Sequence, residues 1–114
     1  MGDSAARTKD LRIKTGIVKR LAKEKTCYEK EAEAQADKVN ELKASEAADE
    51  YMLRKQQEVL LECRAMIPDS SRRLQNAIEE LDIAIGADAD LSETNEYKAA
   101  VQVVADAKAA IQAT

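Results

Sequence analysis

One row of aliphatic residues constrains this chain more than any other feature. Its members lie seven residues apart without a gap, at Leu53, Leu60, Ile67, Leu74 and Leu81. Such a repeat predicts a helix with one packed seam. Pro68, the only proline, directly follows the third member. A proline inside a helix removes one amide hydrogen bond and costs about 3 kcal/mol or more. Because the repeat keeps its phase across Pro68, we predict one long helix kinked there rather than two helices joined by a loop.

The composition favours narrow seams between helices over a broad core. Hydrophobic residues make up 45% of the 114 positions, but 21 of them are alanines and three tyrosines are the only aromatics. Charged residues reach 35%. A deep, dry pocket is hard to build from so little apolar volume, whereas a helical bundle needs less.

We predict an all-α fold, since no segment alternates with a period of two as a strand would. Helices are expected at about residues 9–43, 47–85 and 91–112, after a flexible N-terminal tail at 1–8. Short turns between them predict an antiparallel up-down-up three-helix bundle, a single domain over residues 9–114. Because the third helix is shorter, one end of the first pair should be only two helices thick.

Apolar spacing also predicts which residues each helix buries. The first helix carries a row spaced alternately three and four residues apart, at Leu11, Lys14, Val18, Leu21, Lys25, Tyr28, Ala32, Gln35, Val39 and Leu42. The second has a further row, expected to contact another helix, at Met52, Val59 and Met66. The row expected in the third is Tyr97, Val101, Val104, Lys108 and Ile111. Polar members interrupt the first row, so we expect a monomer rather than a homodimer.

Three turn signals accompany these helices. Ser45 is a candidate cap before the second helix. Gly86 is expected to end that helix in a left-handed conformation. Asp90, with Glu93 three residues on, resembles a capping box for the third helix.

The residues for catalysis or metal binding are missing. The chain has no histidine, and Cys27 and Cys63 belong to no Cys-x-x-Cys pair, so zinc sites of the usual spacing are excluded. The carboxylate pairs are interpreted as solvated helix faces, because three thin helices offer little of the desolvated shelter that acid–base catalysis needs. We therefore predict no enzymatic activity, no cofactor and no metal.

Charge is concentrated near the start of the chain. The net charge is −4, yet residues 7–30 hold nine basic and three acidic side chains. This stretch is either a solvated helix face or a surface for an acidic partner. The pI of about 5.0 argues against nucleic acid. A membrane surface is disfavoured by the lack of Trp and Phe, and no apolar run approaches the roughly 20 residues of a span. We expect a cytoplasmic protein.

Six segments resemble the tubulin-binding cofactor A family in order and spacing. They are Ile13–Leu21, Lys23–Lys25 and Tyr28–Ala32 in the first helix, Met66–Asp69 and Arg72–Leu74 in the second, and Glu96–Lys98 in the third. The resemblance covers about residues 10–111. It implies a three-helix bundle, without enzymatic activity or nucleotide, that captures β-tubulin released from the cytosolic chaperonin. It would pass β-tubulin on, through other tubulin-folding cofactors, to the α/β dimer, as a cytoplasmic, cytoskeleton-associated protein.

The same resemblance names candidate partner-binding residues. They are Lys14, Lys19, Arg20, Lys23, Glu24, Glu29, Glu31, Pro68, Arg72 and Arg73. The bend at Pro68 either wraps the second helix around the bundle or also aims Arg72 and Arg73 at the partner. A helical adaptor or scaffold for another cytosolic partner is the alternative function.

Overall fold

The computed structural model describes residues 2–112. They form three α-helices, α1 (Gly2–Ala44), α2 (Glu50–Ala87) and α3 (Asn95–Gln112), with a 3₁₀ turn at Ala89–Leu91 before α3. No strand occurs within these residues. The predicted all-α fold of three helices is confirmed.

These residues divide into two compact units. Residues 2–23 and 72–112 form the three-helix unit, built from the start of α1, the end of α2 and all of α3. Residues 24–71 form the two-helix unit, built from the remainder of α1 and α2. One unit therefore has only two helices, as the predicted helix lengths require. The single domain over residues 9–114 stays a prediction.

The core of the three-helix unit comes from the predicted rows of α1 and α2. Leu11, Val18, Leu74 and Leu81 are at most 2% exposed. The same core includes Ala77, Ile78, Ala84, Leu91, Ala100, Val104 and Ala107. Full burial of one Val or Leu side chain contributes about 1.5–3 kcal/mol, so these residues stabilise the unit most.

Helix directions in this unit follow from which residues share a groove or an ion pair. Arg7, near the start of α1, contacts Asp88, just beyond the end of α2, so these helices are antiparallel. Arg12 of α1 lines a groove with Asn95 of α3, and Ala22 lines one with Ala110 further along both helices. Because α1 and α3 are thus parallel, the unit has the predicted up-down-up arrangement.

The predicted start of the first helix at about residue 9 is wrong, because α1 begins at Gly2, within the segment predicted as a tail. Arg7 explains the difference: its guanidinium bonds the carboxylates of Asp88 at 3.0 Å and Asp90 at 2.8 Å, and that of Asp3 at 3.0 Å. These contacts fasten the first turns of α1 to the turn before α3. Met1 lies outside the described residues.

The two-helix unit is held by the predicted rows of α1 and α2. Its buried members are Lys25, Ala32, Val39 and Leu60. Tyr28, Gln35, Leu42, Leu53 and Ile67 are half-buried. The Gln35 side-chain amide donates at 2.9 Å to both the backbone and side-chain carbonyls of Gln56, so this polar row member is satisfied.

One predicted row is wrong, and the row predicted for α3 is wrong at two of its five members, since Tyr97, Val104 and Ile111 do belong to the core or pack against it. Met52, Val59 and Met66 are 38–48% exposed, because α3 belongs wholly to the other unit and supplies no helix to cover them. In α3, Ala100 and Ala107 are buried where Val101 and Lys108 were expected. The methyl side chains allow α3 to approach the core closely, and Lys108 instead pairs with Asp82 at 3.0 Å.

The turn residues also differ from the prediction. Asp49, not Ser45, caps α2 by accepting the Met52 amide at 2.7 Å. Thr94, not Asp90, caps α3: its Oγ1 accepts the Tyr97 amide at 3.2 Å. Gly86 lies inside α2, and no residue in 2–112 has a positive φ.

α2 continues through Pro68, as predicted. The kink there stays a prediction. Ser70, two residues on, is 4% exposed and its Oγ has no hydrogen-bond partner among the described residues. The Ser70 hydroxyl therefore caps no backbone group beside the proline.

Candidate partner-binding surface

Three of the predicted residues form an open cluster of positive charge on α1. Lys19, Arg20 and Lys23 are exposed, and none of them forms an ion pair within residues 2–112. Lys23 lies four positions after Lys19 and three after Arg20, so it neighbours both on the helix surface. We call these three residues the basic cluster. Its charges are available to a partner, since nothing in the described chain neutralises them.

Lys14 does not belong to that open surface. Its side chain is half-buried, and Nζ contacts Asp10 at 2.8 Å. The hydrogen bond to Asp10 raises the pKa of Lys14, against the cost of desolvation. Its charge is therefore already balanced on α1, and it contributes less to a partner surface than the sequence pattern suggested.

Arg72 and Arg73 belong to the three-helix unit, like the basic cluster, but to α2. Both are exposed. They directly precede Leu74, which shares the core with Val18, the residue before the basic cluster. The structure therefore brings these cations into one unit, on two different helices.

The other four candidates lie in the two-helix unit. Glu29 is half-buried and accepts a hydrogen bond at 3.1 Å from the buried Lys25 ammonium, so it satisfies an interior charge. Glu24 is half-buried, and Glu31 and Pro68 are exposed. The ten candidates thus do not form one site within a single unit.

Arg12 and Gly16 are two surface residues that the sequence reasoning missed. Both are exposed and line a groove between α1 and α3 together with Lys19. The available signal was spacing: Arg12 precedes Lys19 by seven residues, which places both on one side of α1. The second signal was Gly16 itself, because a glycine inside a helix leaves open space beside its backbone.

The described residues show neither a metal site nor a membrane-spanning helix. No group of three His, Cys, Asp or Glu side chains in residues 2–112 is placed to hold a metal ion. No helix within that range is long and apolar enough to cross a membrane.

Comparisons with known proteins point in one direction. The sequence model of the family described as "Tubulin binding cofactor A" matches residues 6–104. The chain is 47% identical over 102 residues to a chicken protein named "Tubulin-specific chaperone A", covering 90% of this chain and 94% of that one. It is 43% identical over 91 residues to the Arabidopsis thaliana "Tubulin-folding cofactor A", covering 80% and 77%. The solved structure of "human tubulin chaperone cofactor a" superimposes with a TM-score of 0.80 at 43% identity, covering 90% and 98%.

Proposed function

Because the chain belongs to the tubulin binding cofactor A family, we propose that it is a tubulin-folding cofactor. In this proposal it captures quasi-native β-tubulin monomers released from the cytosolic chaperonin and passes them on for assembly of the α/β dimer. Matches over most of both chains support the transfer of this role from its relatives. We propose that it acts in the cytoplasm as a monomer, without enzymatic activity.

The basic cluster is the observation that carries this proposal. Lys19, Arg20 and Lys23 are exposed and unpaired within the described chain, although the whole protein has a net charge of −4. A local excess of positive charge on an acidic protein attracts an acidic partner and speeds encounter with it. Tubulin is such a partner. The cluster would supply the electrostatic part of capture, and apolar contacts would supply the rest.

Charge reversal tests the proposal. The triple variant Lys19→Glu, Arg20→Glu, Lys23→Glu should bind β-tubulin from disassembled dimer about tenfold more weakly at low salt, or about 1.4 kcal/mol. Binding is measured by native gel shift, with helicity followed by circular dichroism. A matched control reverses Lys38, Arg54 and Lys98, which are exposed and unpaired in the described chain and give the same change of net charge.

The two triple variants separate a local effect from a global one. We expect the control variant to bind β-tubulin nearly as well as wild type, and both triple variants to keep wild-type helicity. The loss should shrink at 0.5 M salt, where charges are screened within a few ångströms. Equal capture by wild type and the cluster variant would refute the role of the cluster. If wild type captures no β-tubulin, the proposed function itself fails.

A further inference from the structure

A groove runs between α1 and α3 in the three-helix unit. It consists of two adjoining cavities of about 380 and 270 Å³, and Lys19 lines both. The first lies beside Arg12 and Gly16, and the second beside Ala22 and Val103. We call this feature the α1–α3 groove. It shares Lys19 with the basic cluster and extends that surface to α3.

The groove is accessible to a bulky partner. A Cβ added at Gly16 would meet nothing within 4 Å. Ala99 and Ala110 on the opposite wall are exposed and end at a methyl group. Val18 and Ala107 form the apolar floor at the level of Ala22. Side chains of an incoming ridge could therefore reach an apolar surface between the two helices.

The two walls carry opposite charge. Arg12 and Lys19 line the α1 wall, and Lys23 follows one turn on; none is paired within the described residues. Glu96 and Asp106 stand on the α3 wall. The α1 wall from residue 12 to 23 extends about 16 Å, or about three helical turns. A partner segment of that length would be oriented by charge as well as held by apolar contact.

We propose that the α1–α3 groove binds an amphipathic helix of the captured protein. Its apolar ridge lies on the groove floor and its acidic flank on Arg12, Lys19 and Lys23, so that it packs as a fourth helix on the three-helix unit. A helix suits this groove because both walls are helices and no strand edge is present in the described residues to pair with an extended segment. This inference rests on the proposed function and names the surface through which capture occurs.

Filling the groove is the direct test. Gly16→Trp places a large side chain in open space and removes a glycine from a helix interior, so the fold should tolerate it. Gly86→Trp is the matched control: that glycine is also helical, exposed and without neighbours within 4 Å of a built Cβ. We expect Gly16→Trp to weaken capture of β-tubulin at least tenfold and Gly86→Trp to bind as wild type, with equal helicity by circular dichroism.

A second pair of variants tests the charge of the occupant. Arg12→Glu reverses one charge on the α1 wall of the groove. Arg20→Glu reverses a charge on the same helix outside the groove, because Arg20 does not line it. We expect Arg12→Glu to weaken capture more than Arg20→Glu, by about threefold. Equal capture by wild type and Gly16→Trp, or equal loss in both tryptophan variants, would overturn the inference and leave the proposed function standing. Absence of capture by wild type would overturn both.

Discussion

Neighbouring residues of the same type have opposite environments in α2. Leu60 is 9% exposed, whereas Leu61 is 66% exposed. The difference arises from the helical repeat, which turns successive side chains by about 100°. Leu60 faces the seam with α1 in the two-helix unit, and Leu61 faces solvent. Two identical side chains one position apart should therefore contribute very differently to the free energy of unfolding.

Alanine substitution at these two leucines should show that difference. We expect Leu60→Ala to lower the free energy of unfolding by about 2–3 kcal/mol, from lost burial and an incompletely filled cavity. Leu61→Ala should change it by no more than about 0.5 kcal/mol. Urea unfolding followed by circular dichroism measures both. Similar losses for the two variants would contradict the assigned seam.

The burial of a single residue could be predicted where the buried position holds a large apolar side chain. Leu11, Val18 and Leu74 were found in this way. Ala100 and Ala107 were not, because alanine is equally common on exposed helix faces and its burial depends on how closely a neighbouring helix approaches. Periodicity therefore favoured the larger Val101, which is 45% exposed.

At the scale of the element, the heptad repeat was a better guide than the local turn signals. Repeated spacing across Pro68 predicted the continuous α2, because many positions contribute to the same pattern. Each cap depends on one or two residues, and competing partners decide it. Asp90 could have capped α3, but its carboxylate bonds Arg7, which is distant in sequence. Sequence reasoning had no means of finding that contact.

Replacing Pro68 with alanine should stabilise α2. Pro68 is exposed inside the helix, and alanine would restore a backbone donor that proline lacks. We expect the free energy of unfolding to rise by up to about 3 kcal/mol, measured by urea unfolding. Gly16→Ala serves as a reference for the effect of helix propensity alone, because its new Cβ would meet no neighbour. We expect it to raise the free energy of unfolding by about 1 kcal/mol. An unchanged or lower stability would mean that packing requires the proline.

Capture of β-tubulin by the Pro68→Ala variant then distinguishes the two roles of a bend. If the bend aims Arg72 and Arg73 at the partner, binding falls although stability rises. If it only fits α2 to its neighbour, binding is unchanged. The affinity, measured beside that of wild type, decides between these roles.

At the scale of the whole molecule, the candidate surface was only partly predictable. The excess of basic residues near the start of the chain indicated the basic cluster, and all three of its members are exposed. Spacing of four residues allowed Lys14 to pair with Asp10 and Glu29 with Lys25, and both pairs form. The α1–α3 groove was missed, because a groove depends on which two helices are neighbours and not on either helix alone.

One ionic contact in the three-helix unit should make its stability depend on acid. Arg7 bonds the Asp90 carboxylate, and this hydrogen bond lowers the pKa of Asp90 below its ordinary value of about 3.9. A carboxylate whose folded pKa is lowered contributes stability above its unfolded pKa, and that stability is lost as the pH falls through the folded pKa. Arg7 also bonds the buried Asp88, so its removal should destabilise this unit at neutral pH.

Arg7→Met should therefore lose stability relative to wild type at pH 7, and the difference should shrink as the pH falls below about 4. Arg12→Met is the matched control, because Arg12 has no ion-pair partner in the described residues and its effect should not change over that range. Urea unfolding at a series of pH values from 7 to 2.5 measures both differences. A difference between wild type and Arg7→Met that stays constant down to pH 2.5 would show that the contact with Asp90 does not stabilise the unit. The expected result would show that the start of α1, predicted as a tail, is instead held to the turn before α3 by charge.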